Sequence, residues 1–218
     1  MTKRWKSRPK GSTWGDWGED DQHGRLNLLT PERVKAACAE VTEGLSFCLS
    51  MPLDLPGGNA VNPKRHPPEF KPVFVEGDVY FNYVWDKYNP GDMDVSCDEA
   101  ILIYSQYSTQ WDSLCHIGSK FDADGDGEPE PVYYNGYRPG EHVGGTPGDG
   151  KLGARALGIE NMAEACVQGR GVMVDLHAHY GDERVAVNYD QLMEVFEKDA
   201  ITVEEGDMLS FHTGWDDM

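Results

Sequence analysis

The sequence predicts a mixed α/β fold that contains more strand than helix. Three segments carry apolar residues at helical spacing, and four others carry short apolar or alternating runs typical of strands. The 25 glycines and 13 prolines among the 218 residues predict many turns and long connections. Hydrophobic residues make up 39% of the chain and aromatic residues 11%. This composition is too apolar for a disordered acidic chain, and the length allows a substantial core.

The first predicted helix spans residues 31–43. Thr30 is a suitable N-cap, a proline occupies the first helical position, and Gly44 is a suitable stop. Apolar residues recur along this segment at helical spacing and form its buried stripe. The same spacing predicts a second helix over residues 159–168 and a third one that follows Asn188.

Strands are predicted between and after these helices, where short runs are apolar or alternate in polarity. They cover residues 79–85, 100–107, 171–176 and 208–213. Two long segments, 57–72 and 122–151, hold many of the glycines and prolines and are predicted as loops. Loops of that length in a compact domain usually serve a site or an interface.

The charge balance is strongly acidic and excludes several classes of function. There are 19 Lys and Arg against 38 Asp and Glu, so the net charge is −19 with histidine neutral. Such a chain is poorly suited to bind nucleic acid or an anionic membrane surface. No run approaches the roughly 18 apolar residues of a membrane span, and the N-terminal segment lacks the apolar region of a secretory signal. We therefore expect a small-molecule substrate, with no nucleic-acid or membrane partner.

The five cysteines are scattered, odd in number and without a Cys-x-x-Cys pair. This pattern predicts reduced, mostly buried thiols and a cytoplasmic location. Cys115 lies beside His116, but adjacent residues of a strand face opposite ways. The two are therefore not predicted to form a nucleophile and base, and Cys115 is expected to be a buried thiol.

The most informative stretch runs from Gln106 to His116. Its polar residues Gln106, Gln110, Asp112 and His116 are separated by four, two and four positions. If the segment is extended, all four side chains share one face. That face could bind a cation or a polar substrate, with the imidazole as acid or base. The alternative is an ordinary polar, half-exposed strand face.

A second candidate is the pair His177 and His179, which follows an apolar strand. The even spacing would place both imidazoles on one face, as in many metal-binding pairs. Two ligands do not make a metal site, and Asp175 could be the third only if the strand kinks. The surface end of a strand is therefore the favoured interpretation.

Residues 122–127 (DADGDG) open like a calcium-binding loop, with carboxylates at alternate positions and glycine at the sixth. The twelfth position is Tyr133 instead of a bidentate glutamate, and Pro129 and Pro131 exclude a regular exiting helix. The favoured interpretation is an acidic, solvated turn.

Several sequence blocks, in the same order, resemble the metal-dependent cyclase family, which includes bacterial kynurenine formamidase and isatin hydrolase. The resemblance is greatest to the longer branch called cyclase family proteins. Because the blocks run along nearly the whole chain, the resemblance is specific. The blocks are residues 14–21 (WGDWGEDD), 27–34 (NLLTPERV), 110–116 (QWDSLCH), 158–163 (GIENMA), 169–172 (GRGV) and 206–215.

The resemblance also suggests roles for the residues of the informative stretch. The family's active-site strand reads His-x-Gly-Thr-His-x-Asp-x-x-x-His. Its first two histidines and its aspartate bind a divalent cation, and its last histidine works in catalysis. On this sequence those positions are Gln106, Gln110, Asp112 and His116. An amide oxygen binds zinc less tightly than an imidazole nitrogen does. The two glutamines therefore favour a harder and more weakly bound ion, such as manganese or magnesium, or no metal.

The resemblance implies a single swivelling β/β/α domain over residues 1–218, with mixed sheets or a partial barrel and an extended N-terminal arm over residues 1–30. It also implies a homo-oligomer. Family members continue beyond the block that ends at Trp215, so we expect this fold to lack their C-terminal segment. The chain is then either a fragment or one that completes its sheet with elements of another subunit, because open sheet edges need cover.

The activity implied by the resemblance is hydrolysis of a small cyclic or aryl amide, formamide or lactone. A divalent ion (Mn, Zn or Mg) held by Asp112, Gln106 and Gln110 would activate water, and His116 would transfer the proton. The alternative is a non-catalytic binding protein that keeps the cyclase fold with a degenerate metal site.

Overall fold

The computed structural model describes residues 3–145 and 150–215, so the part of the predicted loop at 146–149 lies outside the described residues. The chain divides into two compact units. The major unit consists of Met1–Leu45 and Asp112–Met218, and the inserted unit consists of Ser46–Trp111. The candidate stretch therefore contributes residues to both units.

Four α-helices lie in the described part of the major unit: α1 (Pro31–Ala39), α2 (Ile159–Ala165), α3 (Leu176–Tyr180) and α4 (Tyr189–Lys198). Helix α1 begins as predicted, with the Thr30 side chain accepting a hydrogen bond from the Arg33 backbone N–H. Helix α4 begins with a capping box, in which Asn188 and Gln191 satisfy each other's backbone amides. Helices α1 and α2 end earlier than their apolar patterns predict.

The strands are short. In chain order they are β1 (Glu69–Pro72), β2 (Phe74–Val75), β3 (Asp78–Val79), β4 (Tyr83–Val84), β5 (Val95–Ser96), β6 (Glu99–Leu102), β7 (Ser119–Phe121), β8 (Glu130–Val132), β9 (Gly171–Asp175) and β10 (Met208–His212). The predicted strands at 171–176 and 208–213 are confirmed as β9 and β10. The run at 79–85 is divided between β3 and β4, and the run at 100–107 contributes only β6.

Within the described residues the strands pair two by two, and none of these sheets closes into a barrel. Strands β9 and β10 are parallel, with Asp175 opposite His212. The other pairs are antiparallel: β1 with β6, β2 with β3, β4 with β5, and β7 with β8. The prediction of a mixed α/β fold is confirmed.

The core of the major unit forms around its N-terminal segment. Trp5 and Trp14 are only 2% and 6% exposed, and they pack with Ala123 and Val132. The two indole rings meet edge to face, with their centroids 5.7 Å apart. Although the segment has little regular secondary structure, it is anchored in the core, and each buried indole contributes roughly 1.5–3 kcal/mol through burial of apolar surface.

The inserted unit buries much less of its apolar surface. Tyr83 and Tyr107 are buried, whereas Phe47 and Leu49 are each 78% exposed. Its best-packed feature is a group of edge-to-face aromatic rings formed by Tyr80, Tyr83, Trp85 and Tyr88.

The prediction of mostly buried cysteines is wrong. Cys38, Cys48, Cys97 and Cys166 are exposed, and Cys115 is half-buried. All of them lie in or next to loops and short elements, where few neighbours cover a side chain. All five are free thiols, as predicted.

In the part of the chain that is described, no helix has the length and apolar character needed to cross a membrane.

Candidate functional site

The candidate stretch, residues 106–116, does not form an extended strand. The prediction that its four polar side chains share one strand face is therefore wrong. Strand β6 ends at Leu102, and a turn follows that is closed by a hydrogen bond from the Tyr107 N–H to the Tyr104 carbonyl (2.9 Å). A second turn places the His116 N–H 3.0 Å from the Ser113 carbonyl. Serine and threonine favour such turns because their hydroxyls compete for backbone hydrogen bonds.

Gln106 and Gln110 belong to the inserted unit. Gln106 is half-buried, and its backbone carbonyl accepts a hydrogen bond from the Arg65 guanidinium at 2.6 Å. Gln110 is exposed. Next to Gln106, the hydroxyl of Tyr107 donates to the Gly58 carbonyl at 2.8 Å. These contacts attach the first half of the stretch to the preceding loop of the same unit.

Asp112 and His116 belong to the major unit, and the second turn brings them together. The Asp112 Oδ2 and His116 Nε2 atoms are 3.9 Å apart, with the two side chains 43% and 31% exposed. At this exposure the pair contributes little to stability, because water screens the interaction. It does place a carboxylate beside an imidazole that can exchange protons with solvent and ligand.

Both side chains line a cavity of about 360 Å³ in the major unit. The rest of the wall is largely apolar and aromatic; it includes Pro9, Trp14, Leu114, Ile117, Val132, Tyr133 and Tyr134. A concave, mostly apolar site with a few convergent polar groups is the usual form of a small-molecule site. Two of the four predicted site residues therefore share a cavity of suitable size.

Tyr134 connects this cavity to the N-terminal segment. Its hydroxyl donates a hydrogen bond to Asp21 Oδ2 at 2.8 Å. Burial, followed by the nearby Asp21 carboxylate, raises the pKa of Tyr134 well above its usual value, so the hydroxyl stays a neutral donor. Burial alone would raise the pKa of Asp21, but hydrogen bonds from Asn27, Tyr134 and the Gly24 N–H outweigh it and lower that pKa.

Asn135 joins the same segment to the core. It is fully buried and has φ +54°, a left-handed conformation that asparagine tolerates better than most residues. Its side chain accepts a hydrogen bond from the Gly15 N–H (2.7 Å) and donates to the carbonyls of Gly18 (3.1 Å) and Asp21 (2.9 Å). Sequence reasoning missed Asn135 and Tyr134. The dipeptide Asn-Gly predicts a turn, but it carries no signal for partners more than 100 residues away.

The acidic loop at 122–127 is confirmed as a turn. The Asp122 carboxylate accepts hydrogen bonds from the Gly125 and Gly127 backbone amides. Oxygen atoms of Asp122, Asp124 and Glu130 lie within 4.8 Å of one another. The guanidinium of Arg138 supplies positive charge there, at 2.7 Å from Glu130 and 3.2 Å from Asp124. Its hydrogen bond lowers the pKa of Glu130.

The predicted one-face arrangement of His177 and His179 is wrong. Strand β9 ends at Asp175, and both histidines lie on helix α3, where residues two apart point in nearly opposite directions. Nε2 of His177 lies 2.6 Å from Asp182, and Nε2 of His179 lies 2.8 Å from Asp199. The two imidazoles therefore have different carboxylate partners.

The imidazole of His177 instead packs edge to face against that of His212, a residue that sequence reasoning did not single out. Their ring centroids are 5.4 Å apart, and His212 Nδ1 lies 3.0 Å from Asp175 Oδ1. The backbone N–H of Ala178 and then His212 lower the pKa of Asp175. The parallel pairing of β9 with β10 creates this arrangement by placing Asp175 opposite His212.

Comparisons with known proteins give a family and solved structures of similar fold. Residues 47–218 match the model of the family described as "Putative cyclase". The fold is similar to the crystal structure of a protein described as a novel cyclase, with a TM-score of 0.70 and 30% sequence identity. The match covers 95% of this chain and 64% of that protein, so the chain spans less than two thirds of the solved structure's length. No curated protein matches the sequence.

Proposed function

The chain belongs to the cyclase family, and on that premise we propose that it is a metal-dependent hydrolase of a small cyclic or aryl amide, formamide or lactone. The observation that carries the proposal is the pairing of Asp112 and His116, 3.9 Å apart, in a cavity of about 360 Å³. These are the aspartate and the last histidine of the family pattern. They lie in one unit of the chain and have a common space for a substrate.

The donor set of the proposed metal site is unusual for the family. Asp112 supplies a carboxylate, and the family pattern alone assigns Gln106 and Gln110 as the other ligands. Carboxylate and amide oxygens are hard ligands that suit magnesium or manganese better than zinc. When bound, such an ion lowers the pKa of a water molecule and polarises a carbonyl group.

His116 is the proposed acid and base. Its imidazole lines the cavity and is 31% exposed, so it can accept a proton from water and deliver it to the leaving group. The Asp112 carboxylate lies beside it, with Oδ2 3.9 Å from Nε2, so both polar groups face the same end of a bound substrate. The apolar side chains of the wall offer hydrophobic contacts to the rest of a bound substrate, and the polar pair is the proposed reactive end of the cavity.

The test is hydrolysis of N-formylkynurenine and of model lactones by the purified chain, with Mg²⁺, Mn²⁺ or Zn²⁺ added and with the metal content measured. We expect turnover with Mg²⁺ or Mn²⁺ and its loss on chelation. Asp112→Asn and His116→Ala should each reduce kcat by about 100-fold or more. Absence of a bound ion and of turnover under all three conditions would contradict the proposal.

The matched control is His179→Ala. This variant also removes an imidazole paired with a carboxylate, at 2.8 Å from Asp199, but it lies on α3 and is not part of the cavity wall. It should keep the wild-type kcat. An equal loss of activity in His179→Ala and His116→Ala would indicate a general effect on the fold and remove the catalytic role of His116.

A second candidate function is a non-catalytic binding protein with a degenerate metal site. The two amides at positions where the family pattern has histidines favour it. The double variant Gln106→His with Gln110→His distinguishes the two functions. If only the double variant hydrolyses the substrates, the natural protein is the binding protein.

We also propose that the chain is a cytoplasmic homo-oligomer and adopts the swivelling β/β/α arrangement of the family. Support for association comes from the inserted unit, where Phe47, Leu49 and Phe70 are each at least 65% exposed. Exposed apolar surface of this kind is typical of interfaces. Light scattering on the purified chain measures its native mass, and a monomer at all concentrations would contradict this assignment.

A further inference from the structure

The inserted unit contains a small cavity that has no role in the proposed chemistry. It lies between the loop at residues 56–65 and the ring of Tyr107, which is only 8% exposed. Its volume is about 40 Å³, roughly three times the space that one water molecule requires. Gly58, Asn62 and Arg65 contribute to its wall, and none of the described residues that line it is acidic. The cavity can therefore hold a small polyatomic group, and its wall carries no negative charge.

Arg65 is the basic residue of this cavity. It is half-buried, and its Nη1 group donates a hydrogen bond to the Gln106 carbonyl at 2.6 Å. Although the chain has 38 acidic residues, Arg65 forms no ion pair with any described carboxylate. A guanidinium has five N–H donors in a planar fork. The bond to Gln106 therefore orients the group and leaves further donors for a ligand.

The hydrogen-bond acceptors around the cavity are already used by the protein itself. The Gly58 carbonyl accepts a hydrogen bond from the Tyr107 hydroxyl at 2.8 Å. The side-chain oxygen of Asn62 accepts from the Lys64 N–H at 3.1 Å, and its carbonyl accepts from the Arg65 N–H at 3.0 Å. A ligand that donates hydrogen bonds therefore finds few partners in this cavity.

The donors of the same loop are not used in this way. Within the described part of the chain, the backbone N–H groups of Gly57, Gly58 and Asn59 donate no hydrogen bond. The side-chain NH₂ group of Asn62 and the remaining N–H groups of Arg65 add to these donors. A ligand that carries negative charge and accepts several hydrogen bonds satisfies such a set best, because charge-assisted hydrogen bonds are the stronger ones.

The net charge of the chain makes nonspecific binding of anions unfavourable. At −19, the average surface potential repels them. An anion that binds must therefore gain enough from specific hydrogen bonds to offset this repulsion, and the Arg65 fork offers bonds of that kind.

We propose that the loop at residues 56–65 and Tyr107 form a binding site for a small oxyanion, either a carboxylate or a phosphate group, with the Arg65 guanidinium as its main contact. The site lies wholly in the inserted unit. It does not depend on the proposed hydrolase function, so a chain without turnover would still show it.

The first experiment measures the binding of acetate, inorganic phosphate and acetamide to the wild-type chain by calorimetry at neutral pH and constant ionic strength. Acetamide has the size and shape of acetate but no charge. We expect at least one anion to bind with a dissociation constant of about 1 mM, the affinity that two charge-assisted hydrogen bonds provide, and about tenfold or more tightly than acetamide. The tighter anion identifies the group. Binding of neither anion, or equal binding of acetamide and both anions, would overturn the proposal.

Variants of Arg65 test the main contact. Arg65→Gln removes the charge and should weaken anion binding by about tenfold or more, whereas Arg65→Lys keeps the charge without the fork and should weaken it by about threefold. The matched control is Lys64→Gln, which removes the same charge from the adjacent residue. Lys64 is exposed and not part of the cavity wall, so its variant should bind the anion as the wild type does. An equal loss in Lys64→Gln and Arg65→Gln would reduce the effect to overall charge and end the proposal.

Chemical modification locates the anion on the wild-type chain, without any variant. Phenylglyoxal reacts with accessible arginines, and mass spectrometry measures the rate at each one. The anion at ten times its dissociation constant should slow the modification of Arg65 by about tenfold and leave that of Arg25, an exposed arginine of the major unit, unchanged. Equal protection of both arginines, or no protection of Arg65, would contradict the site.

Discussion

The major and inserted units of this chain differ in how well they bury their large apolar side chains, although both units also expose some of them. In the major unit, Trp5 is 2% exposed and Val132 is 1% exposed, and both belong to one packed cluster. In the inserted unit, Phe47 and Leu49 are 78% exposed and Phe70 is 65% exposed. The difference predicts that substitutions in the packed cluster of the major unit cost more stability than substitutions of these exposed side chains.

The polar contacts differ in the same way. In the major unit, buried or half-buried side chains such as Asn135 and Tyr134 join segments more than 100 residues apart. In the inserted unit, several side-chain hydrogen bonds join near neighbours, such as Lys71 with Glu69 and Asn89 with Asp92, and others join residues 41–58 positions apart. Exposed pairs between near neighbours contribute little to stability.

The largest difference is expected between Trp5→Ala and Phe47→Ala. Removing the buried indole should destabilise the fold by about 3–5 kcal/mol, because it leaves a cavity in the core. Removing the exposed phenyl ring should change the stability by less than about 0.5 kcal/mol. Urea unfolding followed by tryptophan fluorescence and circular dichroism measures both. Similar losses would mean that the inserted unit is also part of a packed core.

Asn135→Ala should have the next largest effect. It removes three hydrogen bonds, to Gly15, Gly18 and Asp21, and places alanine at φ +54°, so a loss of about 2–4 kcal/mol is expected. The matched control is Asn89→Ala in the inserted unit, where the exposed Asn89 amide donates a hydrogen bond to the half-buried Asp92 carboxylate at 3.0 Å. Chemical denaturation of both variants checks the prediction, which fails if Asn89→Ala is equally destabilising.

The stability of the major unit should depend on pH through Asp21. The pKa of this carboxyl is lowered in the folded protein, so its contribution is present above the unfolded pKa of about 3.9 and is lost as the pH falls through the folded pKa. Asp21→Asn should therefore lose about 1–2 kcal/mol at pH 7 and approach the wild type at the acid end. The measurement is urea unfolding between pH 7 and 3, with the exposed Asp54→Asn of the inserted unit as control. A difference that does not vary with pH would contradict the assignment.

The smallest effect is expected at the start of helix α4. Asn188→Ala removes the side-chain acceptor of the capping box and leaves the Gln191 N–H without it, which should cost about 1 kcal/mol. Thermal unfolding measures the loss. Asn188→Ser keeps an acceptor and should restore most of the stability, and an unchanged melting temperature in the alanine variant would show that α4 is held by packing alone.

The sequence by itself determined the features that depend on a few neighbouring residues. The cap at Thr30, the capping box at Asn188 and the apolar runs of β9 and β10 were all predictable, because caps and periodicity act within one or two turns. The sequence blocks likewise predicted the cyclase family. They also led to the pair Asp112 and His116, although the argument from an extended strand was wrong.

Only the tertiary structure determines which side chains those residues contact. The stretch around His116 turns instead of extending, the imidazole of His177 on α3 packs against that of His212 on β10, and Tyr134 of the cavity wall is hydrogen-bonded to Asp21 of the N-terminal segment. The turn at His116 is local, whereas the contacts of His177 with His212 and of Tyr134 with Asp21 join residues far apart in the chain, and their side chains have no local pattern that identifies the partner. Hydrogen bonding and packing across such separations depend on how the whole unit closes, which is why they could not be predicted from sequence.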